Sequence, residues 1–181
     1  QYTQADQPAQ LSAIAAALPD SATLLSWHDA GDRYLCAVLR RGQLSCFELP
    51  RDTAFDARLT RFIRLLSDKT SQESAPGAYF EAAFFLVIKL LPSDPLAQSR
   101  ALIIVPDGQL CYLPFEALLT QPHSGSFGSA PYLIRSHTVQ YAWSATLLTL
   151  PVLRESAQKG LLHVAPFARA ARDGFAALPN S

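Results

Sequence analysis

The sequence predicts an α/β domain with an N-terminal antiparallel meander and a mainly parallel sheet after residue 100. Three strand-like segments follow one another closely between residues 23 and 49, and turn residues separate them. The continuous apolar run Ala101–Val105 is typical of a strand that is buried on both faces. Beyond it, strand-like and helix-like segments alternate, and this alternation indicates parallel strands.

The charge and composition of the chain exclude several classes of protein. Lys+Arg and Asp+Glu number 15 each, so no net charge attracts nucleic acid or an anionic membrane. The first ten residues do not form a signal peptide, and the longest apolar run, residues 84–88, is shorter than a membrane span. We therefore expect a cytoplasmic protein that binds neither nucleic acid nor membrane. Charged residues make up only 17% of the chain. A surface so poor in charge suggests that something else covers part of it.

Three cysteines, Cys36, Cys46 and Cys111, are distant from one another in the sequence. Because no CxxC spacing occurs, neither a zinc site nor a redox pair is supported, and we predict no metal and no other cofactor. Reduced thiols packed in the core of a cytoplasmic protein are the expectation. Each cysteine lies inside a predicted strand, which argues against a Cys–His dyad at a strand end.

The first half of the chain contains clear local signals. An amphipathic helix is predicted over residues 8–18, followed by strands over residues 23–27, 34–40 and 44–49. Asp52 is expected to cap a helix that buries one face, leaving Arg58, Arg61 and Arg64, hereafter the arginine row, on a solvated face. Residues 67–76 are predicted to form a polar loop.

Residues 77–91 predict a helix that is apolar on every side, with only Glu81 and Lys89 interrupting its surface. Such a helix must be covered on every side. We therefore expect it at the centre of the structure or of its main interface.

The remaining elements are shorter. We predict strands over residues 110–113, 132–134, 138–141 and 160–164, a helix that begins at Pro114, and a helix from Ser144 to residue 153. The absence of Met and the turn-like residues 177–181 also predict that the sequence is a piece of a longer polypeptide.

No catalytic motif is complete in the sequence. The glycine spacing matches neither a P-loop nor a dinucleotide fingerprint. Gly125-Ser126-Phe127-Gly128 lacks the residue that a nucleophile elbow requires between glycine and serine, and we interpret it as a loop. His163 lies at the end of a predicted apolar strand, without a visible nucleophile. An independent hydrolase that uses Ser126 or His163 remains an alternative.

One stretch resembles a known family. Residues 102–118, Leu-Ile-Ile-Val-Pro-Asp-Gly-Gln-Leu-Cys-Tyr-Leu-Pro-Phe-Glu-Ala-Leu, resemble the opening of the CHAT domain, a caspase-like domain associated with tetratricopeptide repeats. Residues 132–134 with 139–144, residues 160–167 and Leu178-Pro179 resemble later segments of the family, and residues 24–49 resemble the meander that follows the repeats.

The resemblance implies a caspase-like three-layer α/β/α fold and, in active members, a Cys–His endopeptidase. The histidine of the family precedes a glycine and its cysteine stands in an Ala-Cys-Glu context, and neither motif occurs here. No catalytic residue is therefore transferred to this chain, and both motifs are expected after Ser181.

We accordingly predict that residues 1–20 form a linker helix from an upstream region such as the repeats. Residues 21–181 would be the N-terminal, non-catalytic half of a CHAT-type module. The implied partners are the upstream repeats and a protein or peptide substrate, reached through the catalytic half. A pseudo-protease that only binds a protein partner is the first alternative.

Overall fold

The computed structural model describes residues 8–150, except for the side chains at positions 94 and 95. These residues fall within the first of two compact units, residues 1–150 and 151–181. The five α-helices described are α1 (Leu11–Ala17), α2 (Thr53–Ser67), α3 (Lys69–Ser74), α4 (Pro76–Leu90) and α5 (Ser93–Gln98). The five strands are β1 (Ala22–Asp29), β2 (Arg33–Arg40), β3 (Gln43–Pro50), β4 (Ala101–Val105) and β5 (Thr138–Tyr141).

The strands form one mixed sheet in the order β3-β2-β1-β4-β5. β1, β2 and β3 pair as an antiparallel meander. β4 pairs with β1 in parallel, with Leu24 opposite Ile103, and β5 pairs with β4 in parallel, with Leu102 opposite Val139. The α/β prediction, with a meander followed by parallel strands, is confirmed.

Alternation of side chains along the strands creates two core regions, one on each face of the sheet. On one face, Leu25, Tyr34 and Leu102 pack with buried residues of α2 and α4. On the other face, Leu24 and Ile103 pack with Ile14 of α1 and with Leu148 of a 3₁₀ helix, Ala145–Thr149. The described residues therefore form three layers, with helical segments on both sides of the sheet.

Helix α2 begins as predicted. The Asp52 side chain accepts a hydrogen bond from the backbone N–H of Phe55 at 2.6 Å, which satisfies one of the free donors of the first turn. Phe55, Leu59 and Phe62 are buried against the sheet and α4. In the arginine row, Arg61 and Arg64 are exposed, whereas the Arg58 guanidinium lies 4.5 Å from the centroid of the Phe85 ring.

Helix α4 is the most apolar helix described, and most of its surface is covered. Tyr79, Phe80, Ala82, Ala83, Leu86, Val87 and Leu90 are buried in the larger core. Phe84 and Phe85 are half-buried, and Ile88 is 60% exposed. The expected central position is confirmed, but one side of its last two turns is open in the described structure.

Two predicted strands are wrong. Residues 110–113 belong to a 3₁₀ helix, Gly108–Tyr112, and the next residue, Leu113, ends it. Both edges of β4 are already paired with β1 and β5, so this segment has no edge of β4 on which to form a ladder. Residues 132–134 lie at a second 3₁₀ helix, Leu133–Arg135, and only Tyr132 makes a single bridge, with Leu119.

One predicted loop and two predicted helices need correction as well. The polar segment 67–76 contains the short helix α3, because Asp68 caps it by accepting from the N–H of Ser71. The segment after Pro114 is only a 3₁₀ turn, Phe115–Ala117. Ser144 does act as an N-cap, but the turn that follows it is 3₁₀. The predicted end of that helix at residue 153 and the strand 160–164 lie outside the described residues.

Among residues 8–150, no helix combines the length and the apolar character that a membrane crossing requires.

Candidate functional site at the carboxyl ends of the parallel strands

The carboxyl ends of β1 and β4 lie side by side, because the two strands are parallel neighbours. In α/β sheets this edge is where ligands and reacting groups usually lie. Here it carries His28 and Asp29 at the end of β1, and the turn Pro106-Asp107-Gly108 after β4. It is therefore the first place in the described structure to look for a site.

Asp107 fastens the two strand ends together. One carboxylate oxygen, Oδ2, accepts from the backbone N–H of Asp29 at 2.9 Å, and the other, Oδ1, accepts from the N–H of Gly108 at 2.8 Å. Nδ1 of the exposed His28 ring lies 3.3 Å from Oδ2. The N–H of Asp29, more than any other contact, holds the pKa of the Asp107 carboxyl below its usual value.

Arg51, the first of the two residues between β3 and α2, extends this network to a third part of the chain. Its Nη1 atom donates to both carboxylate oxygens of Asp29 at 2.8 Å, and its Nε atom donates to Asp56 of α2 at 3.1 Å. The guanidinium also lies 5.0 Å from the centroid of the buried Tyr34 ring. Hydrogen bonding to Asp56 is the largest of several effects that raise the pKa of Arg51.

The arginine is largely withdrawn from water, and so is its first partner. The side chain of Arg51 is 15% exposed and that of Asp29 is 21% exposed. An ion pair with this geometry resists screening by salt better than a surface pair does. We refer to Asp29, Arg51, Asp56 and Asp107 together as the clasp, because they join β1, the β4 turn and the start of α2.

Gly108 is the position where the clasp constrains the sequence most. Its φ of +57° lies in the left-handed region. A Cβ atom at this position would lie 2.3 Å from Asp29 Oδ2 and 3.0 Å from Asp29 Cβ and Cγ. Any side chain would therefore push against the carboxylate that Arg51 binds.

A second feature of the same edge is an apolar cleft of about 440 Å³ beside the end of β5. Ile63, Leu66, Leu113 and Pro114 line it, together with the exposed side chains of Cys111 and Tyr112. The Tyr141 hydroxyl accepts from the N–H of Phe115 at 2.8 Å and donates to Glu116. Burial is the largest of the effects that raise the pKa of Tyr141.

The prediction that the cysteines pack in the core holds for Cys36 and is wrong for Cys46 and Cys111, which are exposed. Cys36 is buried in β2, where burial raises the pKa of its thiol, and Cys46 is exposed on β3. Cys111 lies in the 3₁₀ helix after β4 and not in a strand, since that strand does not form. Within residues 8–150, no hydrogen bond joins a thiol to a histidine.

The histidines of the described residues have other partners. The ring of His123 contacts the backbone carbonyl of Ser126 at 2.9 Å, while the Ser126 hydroxyl contacts Ser129 at 3.1 Å. His137 bridges the Ser136 hydroxyl and the carbonyl of Leu96. The structure thus does not place His123 on the Ser126 hydroxyl, and His163 lies outside the described residues.

Other kinds of site also lack a basis in the described structure. No group of three or more His, Cys, Asp or Glu side chains with metal-binding geometry occurs between residues 8 and 150. The arginine row is divided, because Arg58 stacks on Phe85 and the other two arginines face solvent.

The sequence does not reveal the clasp. Asp29 and Asp107 each stand among turn-forming residues, and no motif distinguishes Arg51. The bonds that assemble the clasp join residues 22 and 78 positions apart. The only sequence signal was the pair of Asp-containing turns, each directly after a predicted strand.

Comparison with protein families gives one match. The model of the CHAT domain matches residues 81–179, which is more than half of the 181-residue chain. No curated protein matches the chain. The matched segment begins inside α4 and includes β4, the Pro106-Asp107-Gly108 turn and β5. The chain therefore belongs to the CHAT domain family, a caspase-like family.

Proposed function

We propose that this chain is the N-terminal, non-catalytic part of a CHAT-type caspase-like cysteine endopeptidase module. In this proposal it supports the catalytic half and links it to a regulatory repeat region. Residues 1–20 would be the linker helix and residues 21–181 the supporting half. The module would act on a protein or peptide substrate in the cytoplasm, through residues that lie outside this chain.

The proposal rests on the contacts at the carboxyl ends of β1 and β4, which hold parts of the chain together. In the clasp, Arg51 binds the carboxylates of Asp29 and Asp56, and the Asp107 carboxylate accepts from the backbone N–H groups of Asp29 and Gly108, so each of these carboxylates has at least one donor. Groups that satisfy one another are suited to fixing the positions of strands. A nucleophile needs a base within hydrogen-bond reach, and the clasp contains no thiol or hydroxyl.

A fixed edge is useful to a neighbouring catalytic half. Catalytic groups have to be held within a fraction of an ångström of their working positions, and rigid strands do this better than loops. By joining β1, β4 and α2, the clasp would give the sheet a fixed frame on which the catalytic strands are placed. This is the supporting role that we propose.

Exposed aromatic side chains favour the pseudo-protease as a second candidate. Trp143, just after β5, is 93% exposed, and Tyr112, beside the apolar cleft, is 74% exposed. Exposed aromatic residues next to an apolar cleft are typical of surfaces that bind another protein. A binding module without peptidase activity would use the same surface, so the sequence that follows Ser181 in the encoded polypeptide discriminates between the two. A His-Gly and an Ala-Cys-Glu motif at strand ends would indicate the peptidase.

The test of the non-catalytic role uses the 181-residue chain alone with fluorogenic peptide and ester substrates. We expect no turnover above that of buffer. The variants Cys111→Ser, Ser126→Ala and His163→Ala serve as controls, because each removes one candidate group. Turnover that persists through purification and disappears in one of these variants would show that the chain is an independent hydrolase.

A further inference from the structure

β3 is the outermost strand of the sheet, and within residues 8–150 it pairs with β2 only. The two-residue turn Arg41–Gly42 makes Arg40 and Gln43 the first pair of the hairpin. By the alternation of an antiparallel ladder, the N–H and C=O groups of Leu44 and Cys46 point away from β2. This outer edge has hydrogen-bonding groups available for another strand.

Most proteins protect such an edge with Lys, Pro or a covering element. Within β3 the only Lys, Arg or Pro is its last residue, Pro50, and the first six side chains of the strand are exposed or half-buried. The edge of β3 is thus open to strand addition over at least two of its outward-pointing positions.

A cleft of about 1010 Å³ lies beside this edge, between the β2–β3 hairpin and the end of α4. All of residues 43–47 line it. Because alternate side chains of a strand point to opposite faces, a cleft lined by five consecutive residues includes the edge of the strand and not one face alone. A segment bound in the cleft would lie along β3.

The cleft is basic. Arg40, Arg41 and Lys89 line it, and none of the described lining residues is acidic. No ion pair within the described residues involves any of these three side chains. The Arg40 guanidinium donates to the side chain of Gln98 at 2.7 Å and to its carbonyl at 3.0 Å, which orients it. The charge favours an acidic ligand.

Arg41 adopts a backbone conformation that is unfavourable for any residue with a Cβ atom. Its φ is +47°, and it is the only non-glycine residue of the described structure with a positive φ. Asn or Gly is the usual residue at this place in a two-residue hairpin turn. Residues held in such conformations are concentrated at functional sites. Here the consequence is an additional cation on the wall of the cleft.

The wall of the cleft also offers apolar contacts. Ile88 on the open side of α4 is 60% exposed, and Phe47 of β3 is half-buried. An extended peptide presents side chains alternately to two sides, so one set can contact these residues while the other reaches the cations.

We propose that the edge of β3 and this basic cleft bind an extended acidic peptide segment of a protein partner. The segment adds as a strand to β3 and places carboxylates on Arg40, Arg41 and Lys89. A peptide fits better than a nucleic acid because only a peptide backbone can pair with the outer N–H and C=O groups of the strand. This site lies at the opposite edge of the sheet from β5, so it does not depend on the proposed peptidase role.

The probe for this site is a fluorescein-labelled, eight-residue synthetic peptide in which glutamate alternates with valine. Fluorescence anisotropy with the whole chain should show saturable binding. A matched peptide with lysine in place of glutamate should not bind. A glutamate peptide whose alternate amides on its pairing edge are N-methylated should bind at least about tenfold more weakly, because it cannot complete the ladder.

Variants of the chain locate the binding. Arg41→Asn and Lys89→Gln should each weaken the peptide about two- to fivefold. Arg41→Asn should at the same time raise the melting temperature, because Asn suits the left-handed turn, so loss of binding cannot be attributed to unfolding. Cys46→Pro removes an outward N–H and should abolish binding while leaving the β2 ladder intact. Arg61→Gln, the same charge change on α2, is the control and should bind like the parent.

Three results would overturn the proposal. The first is the absence of saturable binding of the glutamate peptide. The second is equal affinity in the parent, Arg41→Asn, Lys89→Gln and Cys46→Pro proteins. The third is full competition by an unlabelled oligothymidylate at the same concentration, because it would identify the cleft as a site for polyanions in general.

Discussion

Gly108→Ala tests whether the clasp fixes the ends of β1 and β4. An added Cβ would lie 2.3 Å from Asp29 Oδ2, and the carboxylate cannot move away without loss, because Arg51 donates to it at 2.8 Å and the N–H of Gly31 donates to it at 2.9 Å. The left-handed φ alone costs an alanine about 1 kcal/mol. Displacing a partly buried, charge-assisted contact costs about 2 kcal/mol more.

The free energy of unfolding should therefore fall by about 3 kcal/mol, and the melting temperature by roughly 6–12 °C for a chain of this size. Urea and thermal unfolding of the whole chain, followed by circular dichroism, measure both values. Gly42→Ala is the matched control, because Gly42 also has a positive φ, of +75°, but nothing lies within 4 Å of its added Cβ. It should lose only about 1 kcal/mol.

A double-mutant cycle separates the steric effect from the backbone effect. An Asp29→Ala background lacks Oδ2 and Cγ and leaves only the Cβ of residue 29, 3.0 Å from the added methyl group, so Gly108→Ala should cost clearly less there than in the parent. If Gly108→Ala costs the same in both backgrounds, or no more than Gly42→Ala in the parent, the contact between Asp29 and position 108 does not constrain this edge and the reasoning is refuted.

Three further predictions concern the rest of the described structure. Phe80→Ala should cost about 3–5 kcal/mol because Phe80 is fully packed, whereas the half-buried Phe84→Ala should cost about 1 kcal/mol; equal losses in chemical unfolding would contradict the packing of α4. The pKa of Asp107 is lowered in the folded state, so its contribution to stability is present above the ordinary aspartate pKa of about 3.9 and is lost as the pH falls through the lower value. Asp107→Asn should flatten the acid side of a stability–pH curve, and an unchanged acid slope would exclude this contribution. The chain should not bind DNA or RNA through the arginine row; binding with a steep salt dependence that a triple alanine variant abolishes would contradict this expectation.

Much of the fold could be predicted because its signals are local. The meander has turn residues at Gly31 and Gly42, both of which adopt a positive φ. Asp52 and Ser144 cap the segments that they precede. The apolar run Ala101–Val105 forms β4, a buried strand that lies between β1 and β5 and is parallel to both.

The errors arose where formation of an element depends on a partner. Residues 110–113 are apolar enough for a strand, but a strand also needs a free sheet edge, and the sequence does not show that β1 and β5 already flank β4. The clasp could not be predicted for a similar reason. Asp29, Arg51 and Asp107 are typical turn and surface residues individually, and only the parallel pairing of β1 with β4 brings them together.

The most direct measurement of the central claim is the identification of the cysteine that reacts as a nucleophile. The encoded polypeptide that contains this chain is treated with an irreversible, cysteine-directed peptide probe, with and without excess peptide substrate, and the modified residue is mapped by mass spectrometry. We predict that the substrate-protected cysteine lies outside residues 1–181, and that Cys36, Cys46 and Cys111 show no protection by substrate. Substrate-protected modification of one of these three cysteines would contradict the proposed non-catalytic role.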